Sequence, residues 1–311
     1  MEQFLKYFYD IYIDNIYKKD NKYYFYKDNS LFCVTKNYRL PEELKDILGI
    51  CYEMQSRFPV SQIVFNKFGQ ISSDYDNNNY ILLKINTSMS SDITINDIIK
   101  INNSLFLNKD KKELYRNNWA KLWESKVDYF EYQIKELGRN KKIILNSFSY
   151  YIGLAENAIS IANICELYNK DNMNEKVVLS HRRINYPCME YEFYNPLEYI
   201  FDIQVRDISE YLKSMFFYTD RNHTIKELKN YLLSTRLSNY EANMLYARLL
   251  YPTYYFDIYE KVIEDLEEES ELLDIINKVD EYELFLKEAY FELSRMHKIE
   301  QINWIINKKE L

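Results

Sequence analysis

The chain has 311 residues with a formal net charge of −8, and 47% of its residues are hydrophobic against 28% charged. Those figures suit a globular protein that buries one large or two modest cores. An acidic balance with no Lys/Arg cluster excludes a general nucleic-acid backbone binder, and no run of about eighteen apolar residues is present to cross a bilayer. Cys33, Cys51, Cys165 and Cys188 are scattered without a CxxC pair, and His181, His223 and His297 lie far apart with no HExxH. No structural zinc, disulfide framework or other metal site is therefore expected. The opening Met1-Glu2-Gln3-Phe4 lacks the basic region and small-residue cleavage site of a signal peptide, which points to the cytoplasm or a compartment derived from it. The acidic run Glu264–Glu271 reads as a solvated helix face or connector. Thirty-two tyrosines beside four glycines fit an AT-rich coding bias; surface tyrosines serving adhesion or cross-linking are the alternative.

In chain order, residues 3–18 carry apolar positions at Phe4, Tyr7, Phe8, Ile11, Tyr12 and Ile16, a helical period. Tyr23–Lys27 and Leu31–Lys36 are β-rich runs around Asp28-Asn29-Ser30, a hairpin signal. Pro41, Glu42 and Glu43 open a helix, since proline suits the first turn and acids suit the N-terminal dipole. That helix aligns Leu44, Ile47, Leu48, Cys51 and Met54. Strands follow at Gln62–Lys67 and Tyr80–Ile85, separated by Gly69 and an Asn77-Asn78-Asn79 loop. Thr87–Asp92 reads as a connector. Beyond it come long helices through Trp119–Phe130 and Ile143–Cys165, then strand segments Val177–Leu179 and Tyr199–Phe201. Further helices are expected near Ile208–Phe217, Ile225–Leu233, Tyr240–Leu250, Thr253–Leu266, Glu271–Val279, Tyr282–His297 and Gln301–Asn307.

This order predicts an α+β, two-lobed protein-kinase-like fold. Residues 1–88 would form a small antiparallel-sheet N-lobe, and residues 89–311 a larger, mainly helical C-lobe. Residues 179–215 then fall where phosphoryl-transfer folds carry their catalytic loop: a His-x-Asp whose Asp is the base, and an Asn five residues on that holds magnesium. Here His181 and Arg182 precede Arg183 at the base's place, and Cys188 stands at the asparagine's. A guanidinium accepts no proton at physiological pH, and a thiol is a poor magnesium ligand. No glycine lies in residues 24–34, so a phosphate-cradling Gly-rich loop is absent. Lys36 could stand in for the strand lysine that pairs phosphates, but a surface lysine at a strand end is the favoured reading. Glu198 or Asp202 could take the place of the metal-binding acid.

Several separated blocks carry a family resemblance: Asn118–Glu124, Ser147–Ala158 with its Gly153-Leu154-Ala155-Glu156-Asn157-Ala158 core, His181-Arg182-Arg183, Tyr199–Glu210, Tyr246–Pro252 and Tyr282–Leu286. In this order they resemble the YutH-type spore coat proteins, a CotS-like branch related to aminoglycoside and choline phosphotransferases. The resemblance implies a kinase-like fold, a degenerate His-x-Arg loop and a role linked to the spore coat. It also implies partners among other coat or assembly proteins, on the mother-cell side or in the coat of a sporulating organism. Ile203-Gln204 and Tyr199 depart from the family's pattern without threatening the fold.

Within that frame the expected chemistry is that of a pseudokinase. No catalytic residue is expected in the His181, Arg183, Cys188 loop, and neither a cofactor nor a metal is expected; if ATP and magnesium bind at all, Lys36, Glu198 and Asp202 are the candidate contacts. Asp207 is expected to cap the helix that begins there, with Arg206 as its ion-pair neighbour. Asp202 or Glu198 is expected to pair with Arg183 or Arg182 and hold the loop. Glu156 and Asn157, midway along an apolar helix, are expected to be buried and to pin the central loop. The competing reading is an active small-molecule kinase with a non-standard loop; a third is a purely structural helical scaffold.

Overall fold

The computed structural model describes residues 1–87, 91–107, 111–168 and 176–309. Residues 88–90 of the expected connector lie outside the described residues. The chain divides into two units: Met1–Ile93 with Ser104–Tyr115 and Cys188–Phe201, and Thr94–Asn103 with Arg116–Pro187 and Asp202–Leu311.

In the first unit, helix α1 (Glu2–Tyr9) ends at Asp10, which adopts the left-handed conformation with φ 51°. The Ile11 amide then donates to the Leu5 carbonyl at 3.2 Å, closing the helix end as a left-handed cap does. The periodicity that extended this helix to residue 18 is corrected here, because the chain turns extended and becomes β1 (Tyr17–Lys19). Phe4, Leu5 and Ile11 still pack as expected on the sheet, against Phe25, Val34, Tyr80 and Leu82.

The sheet continues with β2 (Lys22–Lys27), β3 (Ser30–Lys36), β4 (Gln62–Val64), β5 (Ser72–Tyr75) and β6 (Asn78–Ile85). Its order is β1-β2-β3-β6-β4, with β5 also on β6, and every pairing is antiparallel. Three two-residue turns connect it: Asp20-Asn21, Asp28-Asn29 and Asp76-Asn77, all six residues at φ between 49° and 60°. Two successive positive φ values are what a type I′ hairpin turn demands. Aspartate and asparagine tolerate that region better than other residues bearing a Cβ. Helix α2 (Pro41–Met54) starts on Pro41, and the Glu43 carboxylate reaches back to the Leu40 amide at 3.2 Å. Its buried stripe is Leu44, Ile47, Ile50 and Met54, turned slightly from the expected one, with Leu48 and Cys51 only half-buried.

The remaining elements, in chain order, are α3 (Ile95–Asn102), α4 (Trp119–Leu137), α5 (Lys142–Tyr168), β7 (Val177–His181), α6 (Glu190–Phe193), β8 (Tyr199–Ile203), α7 (Val205–Tyr218), α8 (Arg221–Ser234), α9 (Asn239–Leu250), α10 (Thr253–Ile263), α11 (Leu273–Ile276), α12 (Val279–Ser294) and α13 (Asn303–Ile306). Helix α3 went unread in the sequence. It positions β7, because Asn102 donates to the Leu179 carbonyl at 2.8 Å. The helix expected over Glu271–Val279 shrinks to the single turn of α11. The core of the second unit is unusually rich in tyrosine. Tyr151, Tyr211, Tyr231, Tyr246, Tyr255, Tyr259 and Tyr282 are among its largest fully buried side chains, and the Tyr151 and Tyr255 rings stack with centroids 3.7 Å apart. Among the described residues no helix is long and apolar enough to cross a membrane.

Candidate functional site around the His181 loop

Strand β7 ends on His181, and the loop that follows is held by two consecutive residues in the first turn of α7. The Asp207 carboxylate accepts the His181 backbone amide at 2.9 Å and contacts its Nδ1 at 2.7 Å. Asp207 is fully buried and His181 nearly so, so these hydrogen bonds act in a low-dielectric setting. Arg206 takes the loop's carbonyls: Nε donates to His181 O and Nη2 to Arg182 O, both at 2.8 Å. One residue therefore clamps the loop through its N–H and the next through its C=O groups. The helix cap that the sequence suggested for Asp207 is corrected here, because its two oxygens are turned to the loop.

Arg206 is not the partner of Asp207 either. Its Nη1 pairs with Asp202 Oδ2 at 2.9 Å, and Arg248 Nη2 reaches the same oxygen at 3.1 Å. The other oxygen of Asp202 accepts the Ile203 amide at 2.7 Å and the Trp119 indole N–H at 3.2 Å. Asp202 is 1% exposed, and its acceptor positions are filled by four donors. The Trp119 ring lies 4.5 Å from the Arg206 guanidinium carbon and 4.4 Å from that of Arg248, a cation–π arrangement. An acid so enclosed does not fit a magnesium ion, which takes carboxylate oxygens together with water.

Arg183, at the base's place, forms a fork with Asp257 on α10, Nη1 to Oδ2 at 2.8 Å and Nη2 to Oδ1 at 2.7 Å. The expected pairing with Asp202 or Glu198 is corrected by this contact. The side chain of Arg182 is exposed. Beside the fork, Lys213 on α7 donates to Glu210 at 3.0 Å and to Thr253 Oγ1 at 2.7 Å. Burial opposes the ionisation of Glu210, but Lys213, Arg248 and Arg206 outweigh it and hold its carboxyl below the usual range. Arg182, the Arg183–Asp257 fork, Glu210 and Thr253 border a cavity of about 190 Å³ that lies wholly in the second unit.

The other expected residues stand elsewhere. Lys36 ends β3 opposite Tyr80, half-buried. Glu198 closes a single 3₁₀ turn, Pro196–Glu198. Cys188 is buried, with its thiol 3.7 Å from Met189 O and its carbonyl accepting the Ile93 amide at 2.9 Å. All three belong to the first unit. Glu156 is exposed, and Asn157 donates to Gly153 O one turn back at 2.6 Å. Neither pins the loop: Glu156 faces solvent, and the half-buried Asn157 bonds within its own helix. Among the described residues no group of three or more His, Cys, Asp or Glu is placed to hold a metal ion.

Sequence reasoning missed Arg39, Arg248 and Asp257. Arg39 is buried in the first unit, donating to Leu197 O at 2.8 Å and Tyr199 O at 2.7 Å and pairing with Glu43 at 3.4 Å. Arg248 had a visible signal: it is a lone charge inside the apolar run Tyr246–Tyr251, where a buried cation needs a partner.

Comparison with known proteins places these features. A crystal structure of an aminoglycoside phosphotransferase from Alicyclobacillus acidocaldarius superposes with a TM-score of 0.70 at 9% identity, covering 95% of this chain and 97% of that one. A spectinomycin phosphotransferase, solved with ADP and spectinomycin, gives 0.62 at 12% identity, covering 94% and 97%. The fold is thus kinase-like, with an antiparallel-sheet unit and a larger, mainly helical one. The endospore coat-associated protein YutH of Bacillus subtilis (strain 168) is 28% identical over 312 residues, covering 90% of this chain and 91% of that protein. The family described as "Spore coat putative kinase YutH" matches residues 2–289, and the chain belongs to that family.

Proposed function

We propose that the protein is a catalytically inactive member of the kinase-like fold that serves the spore coat as a binding or assembly component, made on the mother-cell side. The observation that carries this reading is the state of the two acidic positions phosphoryl transfer needs. Where the base should be, Arg183 is locked to Asp257; a guanidinium cannot take a proton from an attacking hydroxyl. The acid that could have gripped magnesium, Asp202, is neutralised by Arg206 and Arg248 and closed by Trp119. The two-residue Asp28-Asn29 turn between β2 and β3 offers no run of backbone amides to cradle phosphates. What the loop retains is its scaffold, the His181–Asp207 and Arg206 clamps, which preserve a shaped surface without a reaction.

Phosphoryl transfer itself is the test. The purified protein with Mg-ATP and a panel of small hydroxyl and amine acceptors should release no ADP above the protein-free blank. Sustained ADP release that disappears in Asp202→Asn or Glu198→Gln would overturn the reading in favour of an active small-molecule kinase.

A further inference from the structure

We propose that the cavity in the second unit is a binding site for a small organic anion, a carboxylate or phosphate monoester carried on an apolar body. This names a ligand class for the binding role above and rests on that reading.

The charge balance of the lining comes first. Five cations face the cavity: Lys126, Arg182, Arg183, Arg206 and Arg248. Three carboxylates face it with them, Glu210, Asp257 and Glu260, and each is already engaged. Asp257 holds the Arg183 fork, Glu260 holds Lys126 at 2.7 Å, and Glu210 is matched by Lys213 at 3.0 Å. Asp207, the next acid along α7, is turned to His181. Arg206 and Arg248 are left to share the single carboxylate of Asp202 through one oxygen. The two guanidiniums rely on Asp202 and, at longer range, on Glu210, and the lining as a whole carries more cations than carboxylates, an excess that an anion would complete.

Two further observations point the same way. Arg248 is 2% exposed, and its Nε–H has no hydrogen-bond partner among the described residues, although buried donors are rarely left unmet. Arg182, on the same lining, is exposed and has no ion-pair partner among the described residues. A chain of net charge −8 has thus gathered a positive excess in one concavity. Arginine is the side chain suited to planar oxyanions, through its fork of N–H donors.

The rest of the wall calls for an apolar body on the anion. Trp119 lies against both guanidiniums, the Trp123 ring stacks on Tyr251 with centroids 4.6 Å apart, and Leu122 and Phe256 complete the surface. The volume of about 190 Å³ is below the roughly 300–1,000 Å³ of sites that take drug-sized ligands, so the ligand is small. A cationic ligand would find no free carboxylate.

Trp119 and Trp123 line the cavity, so tryptophan fluorescence of the full chain reads it directly. Benzoate and phenyl phosphate are the anionic probes; benzylamine and benzyl alcohol are the cationic and neutral controls. At least one anion should give a saturable change that weakens with added salt, and neither control should. Saturation with benzoate alone assigns a carboxylate, with phenyl phosphate alone a phosphate ester; either result, or both, supports the site. Arg182→Ala, which removes an exposed side chain, should weaken the anion at least tenfold with an unchanged unfolding midpoint. No saturable change with either anion, equal binding of a control, or full affinity in Arg182→Ala would overturn the proposal. No nucleotide enters the experiment, so its failure is separate from a failure of the phosphoryl-transfer test.

Discussion

Asp202 and Arg183 show how differently two ion pairs can matter at one loop. The Arg183–Asp257 fork has good geometry, but its side chains are 58% and 43% exposed, and exposed pairs contribute about 0–1 kcal/mol. Asp202 is the opposite case, buried with two guanidiniums and an indole. Removing one member of such a network leaves uncompensated charge and costs about 3–5 kcal/mol. Asp202→Ala should therefore lose about that much in urea unfolding, and Arg183→Ala no more than about 1 kcal/mol; similar losses in the two variants would refute the ranking. Glu210 gives a pH signature. Its carboxyl is held below the usual range in the fold, so its contribution is present above the unfolded value of about 4.3 and is lost as pH falls through the folded one. Glu210→Gln should be destabilised at neutral pH, and its deficit relative to wild type should shrink on acidification below about pH 4. At this scale the sequence revealed residue types but not partners. His181 was placed by its loop motif and Asp207 by its helix start, but as a cap rather than as the partner of His181; Asp257 stands 74 residues from Arg183, and no local pattern links them.

The elements were legible where their signals are local. Hairpins depend on two residues, and Asp28-Asn29 announced its turn; Asp20-Asn21 and Asp76-Asn77 carry the same pair, and applying the same rule to them would have recovered β1 and β5. Helix α1 was overextended because the apolar period of its sequence continues past Asp10, while the left-handed backbone that ends it does not show in periodicity. Helix α5 misled in another way. Glu156 and Asn157 at its middle looked like buried anchors, yet Glu156 is exposed and Asn157 bonds within its own helix. Gly153 in that helix yields a direct prediction. A Cβ added there would meet nothing within 4 Å, and glycine inside a helix costs about 0.5–1 kcal/mol relative to alanine. Gly153→Ala should thus stabilise the protein by about that amount in thermal or urea unfolding; a loss of stability would mean that this position has a packing role the helix geometry does not reveal.

At the scale of the molecule, composition foretold a chain able to bury sizeable cores, but not how the tyrosines would be used. Many fill the helical unit's core, while Tyr12, Tyr38 and Tyr52 are at least 70% exposed, so packing accounts for only part of them. The order of a sheet-rich stretch before a helix-rich one was enough to suggest the kinase-like fold, since each half carries its own periodicity. The proposed function rests on that fold having lost its phosphoryl-transfer chemistry in this chain. Its most direct measurement is thermal unfolding with and without Mg-ATP, on the wild type and on Arg183→Asp/Cys188→Asn, since a ligand that binds only the folded state raises the midpoint. The account predicts no shift in the wild type at millimolar Mg-ATP, and none in the double variant, because Asp202 stays enclosed in both. A saturable rise in the wild-type midpoint would contradict it: the nucleotide pocket would then survive, and the search would turn to a substrate or a nucleotide-gated partner.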